Sequence, residues 1–291
     1  MTPLFIDKSG INIRFQNQTL KLDGKTIPLR LIDVVVIATQ AELDSKLLLK
    51  LTKEGIIVLL LNPSNYECTL IHTGEVKNAD LKLAQYAALN DRLKIAKAII
   101  EAKILNHTNH LKAHEIDLNV APYLDSLKSA HSVESLLGVE GTYSRAYFQH
   151  YFPLISRKFH HGKRSKRPPL DPANALLSYL YSMMYHLIHA KLLIQGYEPG
   201  IGYLHTPFRG HSALASDMSE LFRHHVNEFV LNAFQSQTVS INDFYKKEGV
   251  YLNYEGRKKL YTSIKELWVF IEKELNPALA WLRGQICQTS L

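Results

Sequence analysis

Cysteine is almost missing from this chain: Cys68 and Cys287 are the only two in 291 residues. Two thiols cannot build a disulfide framework or a thiolate metal centre, so both are read as buried or idle. Long apolar runs are missing as well. None approaches the roughly 20 residues that cross a bilayer, and the opening MTPLFIDKSGINIRF alternates polar and apolar residues where a secretory signal would concentrate its apolar core. A cytoplasmic protein with no membrane segment is expected. No low-complexity tract, internal repeat or sustained heptad is present, which argues against solenoid and coiled-coil architectures. What remains is the profile of a soluble globular protein, with 46% apolar and 21% charged residues. Its length suits two modest domains better than one large one.

Charge leans one way. The formal net charge is +7, and a Lys/Arg surplus gathered on one face would favour a polyanion such as nucleic acid. The distribution matters more than the sum. RKFHHGKRSKRPPLD concentrates Arg157, Lys158, Lys163, Arg164, Lys166 and Arg167 in a stretch without apolar periodicity that runs into two prolines. It reads as a mobile cationic loop. Plain solvated surface and contact with DNA phosphates fit that loop equally well.

The hydrophobic period changes near Val76. Before it, TPLFID, INIRF and QTLKLDG alternate as short strands, with Asp23-Gly24 as a hairpin turn. IDVVVIAT (32–39) and GIIVLLLN (55–62) are rich in β-branched residues and suit strands buried on both faces. Between them Leu43, Leu47, Leu48 and Leu51 recur at helical spacing, and Gly55 suits the C-terminal cap. After the polar TGEVKNAD the period turns helical, with one long helix over 81–106 and further helices over 133–152, 172–194, 213–233 and 255–274. Asp171-Pro172 is a helix start, Asp as N-cap and Pro at the first helical position. The expected fold class is α+β multidomain: a small β-rich domain over 1–76, then a larger all-α domain over 77–291.

Three stretches of the helical half carry polar side chains suited to chemistry. In GYLHTPFRGHSALASDMSELF (202–222), Asp217 and Glu220 lie three apart beside an apolar stripe of Leu214, Met218, Leu221, Phe222, Val226 and Phe229. On a helix such residues are neighbours. Paired carboxylates repel unless water, a proton or a cation separates them, and oxygen donors suit hard cations such as Mg2+ and Mn2+. A solvated helix face is the competing reading. His205 follows a Gly-rich turn on the loop entering that helix, a usual place for functional side chains, or simply for a satisfied structural histidine. Glu140 in LLGVEGTYSRAYF falls where a core-facing residue is expected. Gly138 and Gly141 beside it admit close approach of backbone or ligand; a helix-start glutamate is the plainer alternative.

Taken in order, LLGVEGTYSRAYF, RPPLDPANALLSYLYS, QGYEPGIGYLHT, SALASDMSELFRHHV and GVYLNYEGRKKLY resemble, over nearly the whole chain, the CRISPR-associated integrase of the adaptation module. That family is a metal-dependent nuclease that inserts new spacers into a CRISPR array. The resemblance implies Mg2+ or Mn2+ bound by Glu140, His205 and Glu220, with Asp217 as an auxiliary acidic residue behind them or as an alternate ligand. It implies an N-terminal domain for dimerisation and partner contacts, a catalytic helical domain, a homodimer, and assembly with a small ferredoxin-like partner protein. Double-stranded DNA, as spacer precursor and as repeat, would meet the basic loop together with Arg145 and Arg223. Arg209 and His211 would be loop residues with at most a phosphate contact. The chemistry implied is attack of a DNA 3′ hydroxyl on a phosphodiester, or hydrolysis when water attacks instead. A non-catalytic nucleic-acid scaffold of the same fold and a transposon-encoded relative are the alternatives. The chain departs from the family at Phe222-Arg223-His224-His225, where many members carry proline after the Phe-Arg pair, and in AKILNHTNH, where members often have glutamine after the asparagine. His224 and His107 are histidines that these departures introduce.

Overall fold

The structure, a computed structural model, describes residues 3–8, 10–62, 68–73, 78–208 and 210–288. Its β-branched runs pair with one another. β1 (Pro3–Ile6), β5 (Val34–Ile37), β6 (Ile57–Leu61) and β7 (Cys68–Ile71) form a sheet in the order β1-β5-β6-β7, parallel across the first three strands and antiparallel at β7. β2 (Ile13–Gln16), β3 (Thr19–Leu22) and β4 (Lys25–Pro28) form a separate antiparallel meander. The Asp23-Gly24 turn within it has positive φ at both residues, 42° and 83°, as a two-residue hairpin loop requires. α1 (Ser45–Lys53) is the crossover between parallel β5 and β6. Asp44 caps it by accepting from the N–H of Lys46 at 2.9 Å.

β5 has no solvated face. Successive strand side chains point to opposite sides, so Val34 and Val36 join the core shared with the helices while Val35 and Ile37 join the core under α1 and the meander. Burying each of these side chains contributes on the order of 1.5–3 kcal/mol. The core that holds Val34, Val36, Ile57 and Leu59 continues into Leu81, Ile99, Tyr143 and Trp268. The expected domain boundary near Val76 falls in residues 74–77, outside the described residues.

The helical part consists of α2 (Ala79–Ala87), α3 (Arg92–Ala113), α4 (Ala121–Ser129), α5 (Val133–Tyr151), α6 (Pro172–Ile194), α7 (Ala213–Gln235) and α8 (Tyr254–Gln288). α7 is central and packs against both α3 and α6. Asp171 starts α6 by accepting from the N–H of Asn174 at 2.8 Å, with Pro172 in the first turn. The single helix expected over 81–106 is two. A 3-10 turn over Ala88–Asp91 interrupts it, at residues where Asn90 and Asp91 compete for backbone hydrogen bonds, and α3 then runs on to Ala113. α8 passes through Pro277 and beyond the expected end at Glu274. Leu275, Leu279, Leu282 and Ile286 extend its buried side, and that burial offsets the roughly 3 kcal/mol cost of an internal proline. α4 and a short hairpin of β8 (Phe244–Lys246) and β9 (Val250–Leu252) were not expected; three-residue strands are too short to show a period. No helix among the described residues is long and apolar enough to cross a membrane.

Candidate active site

The loop ahead of α7 lands directly on that helix. A Cβ added at Gly202 would stand 2.7 Å from Ala213 Cβ and 2.8 Å from the carbonyl oxygen of His205, so this approach requires glycine. Arg92, at the head of α3, holds the loop from the other side by donating to the carbonyl of Tyr203 at 2.6 Å. The loop thus settles over Asp217, which is fully buried. Asp217 Oδ2 accepts from the N–H of Tyr203 (2.6 Å) and Leu204 (3.0 Å), and Oδ1 from the N–H (2.9 Å) and ring Nδ1 (2.8 Å) of His205. Four hydrogen bonds use the acceptor capacity of a carboxylate. A carboxylate only accepts, so the neutral ring of His205 carries its proton on Nδ1 and keeps the Nε2 lone pair, the state of a metal-ligating imidazole. Asp217 is therefore the holder of His205 and has no lone pair to spare.

Glu220 sits one turn further along α7. Its Oε1 lies 2.9 Å from Arg223 Nη1 and its Oε2 2.7 Å from Lys103 Nζ, a lysine of α3 that is 1% exposed. The same ammonium binds Glu140 Oε1 from α5, which also accepts from Ser144 Oγ at 2.6 Å. Three helices thus close two carboxylates around one cation. Burial works against the charge of both glutamates, and the cations outweigh it. For Glu140, Lys103 followed by the Ser144 hydroxyl and Arg223 brings the pKa down to about 2. For Glu220, Arg223 and Lys103 hold the carboxyl below its ordinary range against the repulsion of Glu140. Both are ionised at neutral pH. Desolvated carboxylates around a compact cation are also what a hard divalent ion requires, so the Lys103 ammonium stands where such an ion would, and Glu140 and Glu220 fit it.

His205 is oriented but not joined to that pair. Among the described residues, the groups of three His, Cys, Asp or Glu whose ligand atoms lie within 4.8 Å of one another are His110–His114–Glu228 and His224–His225–Glu274; Glu140, His205 and Glu220 do not form such a group.

A cleft of about 1350 Å³ opens over Lys103 and Glu140. Arg145, Lys163, Arg164, Lys166, Arg167 and Arg223 line it together with Lys103, against a single carboxylate among the described residues, Glu140. These include six of the eight residues expected to touch DNA. Arg157 and Lys158 are elsewhere, in a 3-10 turn over Arg157–Phe159, with Lys158 at a separate pocket beside Phe159 and Phe234. The basic segment is tied down rather than mobile. Asn174, in the first turn of α6, accepts from Arg164 Nη1 (2.9 Å) and from the N–H of Ser165 (3.0 Å) and donates to the carbonyl of Lys163 (2.8 Å). Arg164 is thereby a strut. Its guanidinium lies over one ring, Tyr181, at 5.5 Å from the centroid, and that of Arg223 over the same ring at 5.2 Å, distances at which a cation is attracted to the ring. Gly138 and Gly141 have nothing within 4 Å of an added Cβ, so neither marks a close backbone approach; Gly141 forms part of the cleft wall. His211 also lines the cleft and bonds Ser216 Oγ at 2.7 Å. Arg209 lies outside the described residues.

A family profile described as CRISPR associated protein Cas1 matches residues 4–266. The chain belongs to the Cas1 family. A CRISPR-associated endonuclease Cas1 of Thermodesulfovibrio yellowstonii is 33% identical to it over 293 aligned residues, covering 92% of each chain. The fold matches that of a Cas1 protein from Thermotoga maritima with a TM-score of 0.90 over 99% of this chain and 97% of that one, at 23% identity. A casposase bound to its integration product matches with a TM-score of 0.81 at 25% identity, over 92% of this chain and 82% of that one.

Against this Cas1 fold, the residue that sequence reasoning missed is Lys103. A signal for it existed. Ile95, Ile99, Lys103 and His107 follow one another at four-residue spacing and are all buried on α3, so Lys103 is a charge on an apolar stripe. Such a charge has to be paired, but the partners lie on two other helices.

Proposed function

We propose that this Cas1-family chain is a metal-dependent DNA nuclease and integrase that inserts spacer DNA into a CRISPR array. The observation that carries the reading is the buried Lys103 ammonium shared by Glu140 and Glu220 at a cleft whose other charged lining residues, among those described, are Lys and Arg. Mg2+ or Mn2+ held there would supply Lewis-acid polarisation of a phosphoryl oxygen and charge neutralisation at the attacking and leaving oxygens. Glu140 and Glu220 would be the carboxylate ligands of that ion and His205 Nε2 its imidazole ligand. Asp217 fixes the tautomer and direction of that ring. Arg223 keeps Glu220 ionised, and a divalent ion held by the carboxylate pair would take the place of the Lys103 ammonium. Arg145, Lys163, Lys166 and Arg167 neutralise DNA phosphates along the cleft, while Arg164 braces the loop that presents three of them. In the reaction, a 3′ oxygen bonds to phosphorus as another 3′ oxygen departs, so one phosphodiester replaces another. Water in place of the 3′ hydroxyl makes the same step a hydrolysis.

Two comparisons support this reading: the 33% identical relative is an endonuclease by name, and the casposase is bound to an integration product. The casposase also favours a second reading, a mobile-element integrase with the same chemistry and a different DNA target. Double-stranded DNA as substrate, a homodimer and a small ferredoxin-like partner complete the proposal on the family resemblance. The test is a strand-transfer assay with Mg2+ or Mn2+. Glu220→Gln and His205→Ala should abolish product, and Asp217→Asn should lower it by roughly 10–100-fold, the usual effect of removing the group that orients a metal-ligating histidine. Wild-type activity in Glu220→Gln and His205→Ala would refute the assignment.

A further inference from the structure

We propose a second metal site, for an ion of the zinc class, on His110, His114 and Glu228, clamping α3 to α7 outside the cleft. His110 lies in the last turn of α3 and His114, four residues on, caps its C-terminal end, so their rings are neighbours, with centroids 5.2 Å apart. α7 sets Glu228 against them: its Oε2 is 2.7 Å from His114 Nε2 and 3.0 Å from His110 Nε2. Around a zinc ion with bonds of about 2.0–2.1 Å, tetrahedral donors stand about 3.3–3.4 Å apart. The two pairs are closer than that edge by only about 0.3–0.7 Å, so a small outward shift of the side chains admits the ion.

An independent observation points to an ion. His110 is 7% exposed, and its Nε2 makes no well-aligned hydrogen bond although Glu228 Oε2 is 3.0 Å away. At that distance the missing bond means that the oxygen is off the ring's N–H direction. His114 Nε2 hydrogen-bonds that same oxygen at 2.7 Å, which leaves the buried His110 Nε2 facing the cluster without an aligned partner, and a cation bound there would satisfy it. The ring is also held from behind. His110 Nδ1 bonds Tyr147 Oη at 2.9 Å, and Asn227 Nδ2 donates to that oxygen at 2.8 Å; Asn232 Nδ2 donates to the other Glu228 oxygen at 3.0 Å. Such outer partners fix the direction of metal ligands.

Two imidazoles and one carboxylate suit Zn2+ and its neighbours, where Mg2+ prefers oxygen throughout. Three protein ligands leave a fourth position for water, and the partly exposed side chains of His114 and Glu228 leave a path to it. The second histidine group is less suited. His224 and His225 are adjacent in the chain with rings side by side at 3.7 Å, and only His225 reaches Glu274, at 2.7 Å.

The placement suggests what the clamp does. His110 follows Lys103 by seven residues on α3, and Glu228 follows Glu220 by eight on α7. Two helical turns, roughly 10–12 Å, therefore separate the clamp from the Lys103–Glu220 contact along the same two helices. An ion at the clamp would hold the α3–α7 register on which that contact depends.

The test titrates Zn2+ into the untagged full chain, stripped by chelator and kept in excess Mg2+, following binding by calorimetry and bound zinc by elemental analysis. One Zn2+ per chain is expected, with a rise in thermal midpoint. His114→Gln and Glu228→Gln should each weaken binding by at least about tenfold and lose that rise. Glu140→Gln/Glu220→Gln and His225→Gln should keep both. The side chains of His114 and Glu228 are partly exposed, and circular dichroism of the zinc-free variants checks that they fold as wild type. Absence of zinc binding in the wild type overturns the site. So does zinc binding that His114→Gln and Glu228→Gln leave intact, or that Glu140→Gln/Glu220→Gln or His225→Gln removes.

Discussion

Replacing Lys103 by methionine keeps an unbranched apolar stem of similar length and removes the ammonium that Glu140 and Glu220 share. Lys103 is 1% exposed, Glu220 3% and Glu140 20%, so the two carboxylates would be left as like charges in a site that water enters poorly. Removing one partner of a buried ion pair costs about 3–5 kcal/mol. Glu220 keeps Arg223 at 2.9 Å, which places this case near the lower end, at roughly 3 kcal/mol. In chelator that corresponds to a thermal midpoint lower by roughly 6–12 °C, at about 2–4 °C per kcal/mol for a chain of this size class. Metal should change the comparison. An ion entering the wild type has to displace the ammonium, whereas Lys103→Met leaves the two carboxylates waiting for a cation. At a hundredfold excess over its Kd, a ligand stabilises by about 2.7 kcal/mol, so Mn2+ should recover most of the loss in the variant and stabilise the wild type by less. Scanning fluorimetry of both proteins in chelator and across a Mn2+ titration reads this directly. Adding Glu140→Gln to Lys103→Met should restore stability in chelator, since the repulsion then has no second charge. A Lys103→Met midpoint within about 1 °C of wild type in chelator would refute the reasoning, as would equal Mn2+ responses of the two proteins.

The glycines and the basic cleft give two further predictions. Gly202→Ala should lift the loop from α7, because its methyl meets the backbone of Ala213 and His205 at 2.8 Å, and strand transfer should fall as in Asp217→Asn. Gly138→Ala has open space in mid-helix and should gain roughly 0.5–1 kcal/mol in denaturant unfolding; the opposite ranking of the two variants would contradict the loop geometry. Changing Arg145, Lys163 and Arg167 singly to Gln should flatten the salt dependence of duplex DNA binding, by about 0.9 in log–log slope for each phosphate that is no longer neutralised. Arg157→Gln/Lys158→Gln, outside the cleft, should leave the slope as in wild type, and equal slopes across all these variants would remove the cleft as the DNA surface.

Much of this protein is legible one segment at a time. Alternation marks β2 and β3, β-branched runs mark β5 and β6, the Asp171-Pro172 start sets α6 to the residue, and Asp23-Gly24 takes the positive-φ turn expected of it. The order of five motifs points to the Cas1 family without any knowledge of the fold. Those signals are local: a period states which side of one segment is buried, and a cap or turn concerns residues within a few positions. The site is not local. Lys103 meets Glu140 and Glu220 only because α3, α5 and α7 cross where they do, and Asp217 becomes the holder of His205 only because Gly202 lets a loop lie on α7. The same packing makes Arg164 a strut while its neighbour Arg167 faces the cleft, and brings His110 and His114 to Glu228. The strength of a charge pair depends on separation and on the exclusion of water, and neither quantity exists until distant segments have packed. Residue types and helix faces therefore follow from the sequence alone, while the pairing of the buried charges, and with it the shape of the candidate metal centre, is decided by the tertiary fold.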